Sequence, residues 1–253
     1  MKKSSAPAKY DIFTKIALLL VLIIIGFLIV LPLLNILVYS TQPSGSAIVK
    51  NSLSDIVTRN IIWNTVKLGL SVATLGTLLG FIMAYTQARV EFRGKKILHI
   101  INLVPIISPP FAFATAVIVL FGRSGMITRG LFDWRPTLYG YPGLVLVLTL
   151  SFFPIAYMNL LGMLRSLDPA LDEAGSSLGA NKWRVFRTVT VPLLIPGFAG
   201  SFLLLFIESI ADLANPLIIG GNYTVLASRA YMAINGDYDI SLAAGYSSLL
   251  LMP

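Results

Sequence analysis

The sequence predicts an all-α fold, a polytopic transmembrane helix bundle, on three observations. Its mean hydropathy is +0.83. Hydrophobic residues make up 56% of its 253 residues and charged ones only 12%. The apolar residues fall into long uninterrupted runs separated by short polar loops, a pattern that no soluble domain with a charged surface sustains.

Six runs carry this reading: Ile16 to Val38, Ile61 to Ala88, Ile97 to Phe121, Tyr141 to Leu164, Leu193 to Gly220, and Ser241 to Pro253. At about 1.5 Å per residue, the first five are long enough to cross a hydrocarbon core of about 30 Å as helices. The sixth is too short, so the expectation is five full spans and a truncated sixth, with the chain a piece of a longer protein. The basic start, MKKSSAPAKYDIFTK, precedes a run longer than a signal-peptide core and reads as the flank of an uncleaved first span. With the amino terminus in the cytoplasm, twelve Lys and Arg residues fall inside, among them Lys2, Lys3 and Lys9, and six outside, among them Arg135. That asymmetry sets the orientation. The formal charge of +8 is then mainly a topology signal, and no nucleic-acid surface is expected, because the basic residues are split among short loops. With no cysteine there is neither a disulfide nor a thiolate metal site. Residues 1–59 hold the cytoplasmic segment, the first span and an outer loop; residues 60–253 form the transmembrane domain proper.

Span two carries a polar stripe of Asn60, Asn64, Lys67, Ser71 and Thr74; span five carries Ser201, Glu208, Asp212 and Asn215 at helical spacing. Counting from the outer ends places Lys67 and Asp212 at one depth, about 10 Å inside. An ion pair between them is one reading and a translocation path through Glu208, Asp212, Asn215 and Lys67 is the other. Glu208, counted deeper and without a cation, points to a water-filled path. Span three contains Pro105 and Ser108-Pro109-Pro110, which free backbone carbonyls and bend helices; a gate and an ordinary membrane proline are both open there. FGRSGMITRGLFDW is expected to form an outer loop with a short helix, anchored by Trp134 and Tyr139.

One loop is unlike the rest. DEAGSSLGANKWRVFRTVTVPLLIPG, Asp172 to Gly197, gathers charge between spans four and five. Asp168 reads as an N-cap, Pro169 as the first helical residue, and Asp172 with Glu173 as acids at the positive end of a helix that Gly179 stops in a left-handed conformation. Ala170, Ala174 and Leu178 share one face of that helix, and Ala174 with Gly175 would let another backbone approach closely. Trp183 and Phe186 follow, beside Lys182, Arg184 and Arg187.

Glu173-Ala174-Gly175, three residues, Gly179, nine residues, then Val189-Thr190-Val191-Pro192 resembles the EAA loop, E-A-A-x3-G-x9-I-x-L-P, of binding-protein-dependent ABC importer permeases. Gly175, Val189 and Val191 depart from the pattern with little change of size. From about Asn60 onward, NTVKLGLSVATLGTLLGFIMAY, FGRSGMITRGLF and ESIADLANPLIIGG look most like permeases of the ferric-iron type. The resemblance implies a type I ABC importer permease fold in a bacterial inner membrane. It also implies a coupling helix in which Asp172, Glu173, Ala174, Gly175, Leu178 and Gly179 meet a separate ATP-binding subunit. Partners would be a dimer of that subunit, a second permease half or copy, a solute-binding protein and membrane lipid. ATP and Mg would sit on the ATPase, and no cofactor on this chain. Ferric iron is the cargo the resemblance favours, with phosphonate, sugar phosphate or polyamine as alternatives. As a hard cation it would take oxygen ligands, for which Glu208, Asp212, Tyr231, Asp237, Tyr238 and Asp239 are candidates, while His99 reads as an interfacial residue. An ion-coupled secondary transporter and a scaffold are the readings from other classes. The chain has no Walker-type G-x-x-x-x-G-K-[ST], no H-E-x-x-H and no G-x-S-x-G, which leaves little for an enzyme.

Overall fold

The computed structural model describes residues 12–133 and 137–252, with the backbone alone for Pro110, Pro169, Asp172, Glu173 and Ser176. Lys2, Lys3, Lys9, Trp134 and Arg135 lie outside the described residues. The described chain is helical and contains no strand among these residues.

The first span, α1 (Ile12–Ser40), runs 29 residues and has no buried residue across its most apolar stretch. It widens into a π-turn at Gly26–Val30. A second π-turn occupies Phe186–Thr190. Each ends two residues before a proline, Pro32 and Pro192, whose missing N–H interrupts the α-helical ladder at that point. A short helix, α2 (Pro43–Lys50), follows.

The longest helix is α3 (Ile56–Arg89), 34 residues. It starts at Asp55, whose carboxylate accepts from the Thr58 N–H at 2.9 Å and the Thr58 hydroxyl at 2.6 Å. Small residues let its neighbours approach. A Cβ on Gly80 would lie 2.8 Å from the backbone nitrogen of Tyr157, so α3 and α7 (Tyr141–Ser166) touch almost backbone to backbone there.

The third apolar run is not one straight helix. It divides into α4 (Lys95–Ile107) and α5 (Pro110–Phe121), bent by 110° at the serine-proline-proline sequence. By length and composition four helices could cross a membrane, or five if the bent pair counts as one span. After the short helix α6 (Thr128–Phe132) and α7, the loop helix α8 (Pro169–Ser177) leads into α9 (Lys182–Ala211). The fifth run also differs from a single helix: α9 stops at Asp212, and Ala214–Ile219 forms a separate short helix, α10. Two helices close the described chain, α11 (Leu226–Asn235) and the short apolar α12 (Ile240–Leu250).

Two apolar clusters stack along α3 and α7. One joins Ala84, Tyr157, Leu160, Leu194 and Leu205; the other joins Leu68, Val72, Leu144, Leu148, Val117 and Ile219. Ser241 fastens α12 to the amino-terminal segment. Its hydroxyl donates to the Tyr39 carbonyl at 3.1 Å and accepts from the Gly45 N–H at 3.0 Å.

Candidate coupling loop and translocation path

The loop helix is built by its caps. Asp168 accepts from the Ala170 N–H at 2.9 Å, satisfying a donor that the first turn leaves free. At the other end Gly179 has φ +80°, and the Ala180 N–H donates to the Gly175 carbonyl at 3.1 Å. That six-to-one bond across a left-handed glycine is a Schellman stop. Asn181 then caps α9 by accepting from the Arg184 N–H at 2.8 Å.

Ala170, Ala174 and Leu178 are all exposed, Leu178 to 89%. The apolar stripe of the loop helix therefore has no cover among the described residues. Gly175 points elsewhere: a Cβ there would lie 2.8 Å from Cγ2 of Val185, a buried residue of α9. Its smallness serves the contact between α8 and α9 rather than the exposed face on which the sequence placed it. The side chains of Asp172 and Glu173 lie outside the described residues.

The aromatic residues of the loop have a role that sequence reasoning missed. Exposed Trp183 stacks on Phe186 with centroids 5.3 Å apart; Phe186 meets Tyr85 at 5.2 Å and Phe81 at 6.2 Å; Phe81 meets Phe198 at 4.8 Å. This ladder ties the loop to the C-terminal end of α3 and the first turns of α9. The spacing of Phe81 and Tyr85, four apart on one helix face, was the available signal.

The proposed polar path separates. Among the described residues the ion pairs within 4 Å are Lys95–Glu91 and Arg229–Asp237, so Lys67 and Asp212 do not pair. Lys67 instead holds its ammonium 4.3 Å from the centre of the Tyr141 ring, at the first turn of α7. Tyr141 also shares a 2.6 Å hydrogen bond with Ser71, and the Tyr223 hydroxyl donates to the Asn64 carbonyl at 2.9 Å. Asp212 accepts from the Asn215 N–H at 3.1 Å and so caps α10. The span-five stripe is not one face either. Ser201 is buried and accepts from the Asn159 amide at 2.9 Å, Glu208 is exposed, and Asn215 is fully buried with neither end of its side-chain amide partnered.

The depth of Glu208 also changes. Counted from Thr190, Glu208 stands about 27 Å along the helix, three residues before its end at Ala211. The sequence count started at Gly220, but the chain breaks at Asp212, so those residues do not add helical depth.

The oxygen ligands considered for a metal disperse. Asp237 is paired with Arg229 at 2.7 Å, Asp239 caps α12 by accepting from the Leu242 N–H at 2.9 Å, and Tyr238 is 86% exposed with φ +55°. Among the described residues no three His, Asp or Glu side chains gather as a metal site. His99 faces the Tyr157 hydroxyl through Nδ1, holding the start of α4 to α7. The hydrogen bonds from Thr58 hold the Asp55 carboxyl below its ordinary value of 3.8, and the backbone N–H of Leu242 does the same for Asp239.

This chain matches the family of binding-protein-dependent transport system inner membrane components over residues 76–252. It belongs to that family. It is 35% identical over 252 residues to the putative ferric transport system permease protein FbpB 1 of Haemophilus influenzae, covering 96% of this chain and 40% of the relative. It thus spans less than half the length of that permease. To the molybdenum transport system permease protein ModB of Escherichia coli it is 32% identical over 156 residues, 59% of this chain and 68% of the relative. The fold is that of a bacterial ABC transporter involved in alginate import, with a TM-score of 0.73 at 19% identity, covering 96% of this chain and 94% of that one. The all-α importer-permease fold expected from the loop motif is therefore present, in a family of multi-pass membrane proteins.

Proposed function

We propose that this chain is a permease subunit of an ABC importer that carries ferric iron across a bacterial inner membrane, with its amino terminus in the cytoplasm. A binding protein delivers the cargo outside; a dimer of ATP-binding subunits, which holds ATP and Mg, drives the cycle inside. A second permease half or copy completes the path, and no cofactor resides on this chain. The observation that carries the reading is the loop helix α8. It is capped at both ends, exposes Ala170, Ala174 and Leu178, and packs through Gly175 on Val185 of a helix that continues into the membrane. A push on α8 passes to α9 directly, and through Phe186 to α3. A secondary transporter would have no use for such a loop. The 35% identity to a ferric permease supports iron, and the 32% identity to a molybdenum permease makes an oxyanion the second reading.

The test is reconstitution of the intact complex with its binding protein. Radiolabelled iron uptake that depends on ATP and on iron-loaded binding protein is the expected result. Uptake of molybdate or sulfate in its place, or uptake without ATP, would overturn the assignment.

A further inference from the structure

The four helices long and apolar enough to cross a membrane contain a single acidic residue, Glu208 of α9, and the bent pair α4 and α5 adds none. The Glu208 side chain is exposed and makes neither a hydrogen bond nor an ion pair among the described residues. Leu203, Leu204 and Ile207, in the turn before it, are exposed as well. An ionised carboxylate beside such residues is costly against lipid, so this face of α9 meets water or the second permease half.

The surroundings make that charge harder to keep. Glu208 stands in the last turn of a 30-residue helix, where the macrodipole is negative and favours cations. No backbone N–H from beyond the helix reaches the carbonyls of Glu208, Ser209, Ile210 or Ala211, so this negative end is left without a backbone cap. Asp212 follows at i+4, close enough for its carboxylate and that of Glu208 to act on each other, and like charges at that spacing repel. The Asp212 carboxylate accepts from the Asn215 N–H at 3.1 Å. The fully buried Asn215 amide bears on the same carboxylate without completing a hydrogen bond. The ion pairs among the described residues are Lys95–Glu91 and Arg229–Asp237, so neither acid has a basic partner within 4 Å. Three features of one sign thus meet at the end of α9, and folding this chain requires none of them. A cation relieves all three.

We infer that Glu208 is the charge-selecting residue of this permease, the contact that a cationic cargo meets as it enters between this chain and the second permease half. Asp212 and the end of α9 supply the negative field behind it. The inference rests on the ferric reading and the orientation proposed above. Arg187, the last basic residue of the loop, precedes Glu208 by 21 residues, or about 31 Å of helix, the thickness of a hydrocarbon core. With the amino terminus in the cytoplasm, Glu208 therefore stands at the mouth to which the binding protein delivers. Acidic side chains around a path admit cations and turn back oxyanions. Because no three His, Asp or Glu side chains gather among the described residues, the contact stays weak enough for passage.

The experiment uses the intact complex in proteoliposomes with iron-loaded binding protein, comparing wild type, E208Q, E208D and E208K. Glutamine keeps the shape and removes the charge, so E208Q should import iron about fivefold more slowly, or worse, while ATP hydrolysis stays within about twofold of wild type. E208D should keep most of the uptake, and E208K should fall below E208Q. A structural role would not rank the variants by charge. Iron uptake by E208Q equal to that of the wild type would overturn the site and leave the ferric reading standing. A parallel loss of uptake, hydrolysis and assembled complex in E208Q would make the carboxylate a structural group and overturn the inference as well. Uptake of molybdate or sulfate by the wild type in place of iron would remove the ferric reading, and the cation contact with it.

Discussion

Substituting alanine for Gly175 tests how the loop helix is joined to the membrane helices. Two effects oppose each other. Alanine raises helix propensity by about 1 kcal/mol over glycine. Its methyl, however, would sit 2.8 Å from Cγ2 of Val185, a short, stiff and buried side chain. Overpacking of this kind costs about 1–3 kcal/mol, so the net loss in packing α8 on α9 is about 1 kcal/mol, or about fivefold in an equilibrium. Shortening the neighbour in V185A should make room for the new methyl, and G175A/V185A should recover both the packing and the added helix propensity. The assay is the number of cargo molecules imported per ATP hydrolysed, measured for the four members of the cycle. G175A should lower that ratio severalfold and the double variant should restore it. Strict additivity, or a fully coupled G175A, would show that Gly175 does not pack on Val185 in the working complex.

Other outcomes follow from the same geometry. Gly179→Val should uncouple hydrolysis from transport, because its φ of +80° costs a residue with a Cβ about 1–2 kcal/mol; a coupled variant would contradict the Schellman stop. Lys67→Met and Asp212→Asn should have additive effects on melting temperature, since the two side chains make no ion pair, and a double variant milder than either single one would restore the pairing. Acid should loosen the starts of α3 and α12. Asp55 and Asp239 have lowered native values, so their stabilisation is full above the ordinary carboxylate value of 3.8 and is lost as pH falls through the lower native values. Amide hydrogen exchange at the starts of α3 and α12 should rise in that window, and D55N, which keeps a capping oxygen but cannot titrate, should abolish the rise at α3. Phe186→Ala should cost stability by about 3 kcal/mol or less, since the ring is only partly buried, and should lower transport more than hydrolysis; equal losses in both would deny the aromatic ladder a part in coupling.

The features readable in the chain were those in which neighbours in sequence decide the outcome. Asp168, Gly179 and the stripe of Ala170, Ala174 and Leu178 were legible because capping and helical spacing act within a few residues. The proline cluster of span three likewise announced lost hydrogen bonds, since a missing N–H is a property of the residue itself. Which way a side chain turns around its helix, and how deep it lies, depend on packing between distant segments. Gly175 looked like part of the exposed face until α9 folded back to put Val185 against it. Lys67 and Asp212 looked like partners because each span was counted as one straight rod. The break at Asp212 shifted the register of span five, gave that carboxylate a backbone N–H, and left Lys67 to the face of Tyr141. A linear count of about 1.5 Å per residue holds only while the helix continues, and the ends of helices in a bundle are set by the neighbours that cover them.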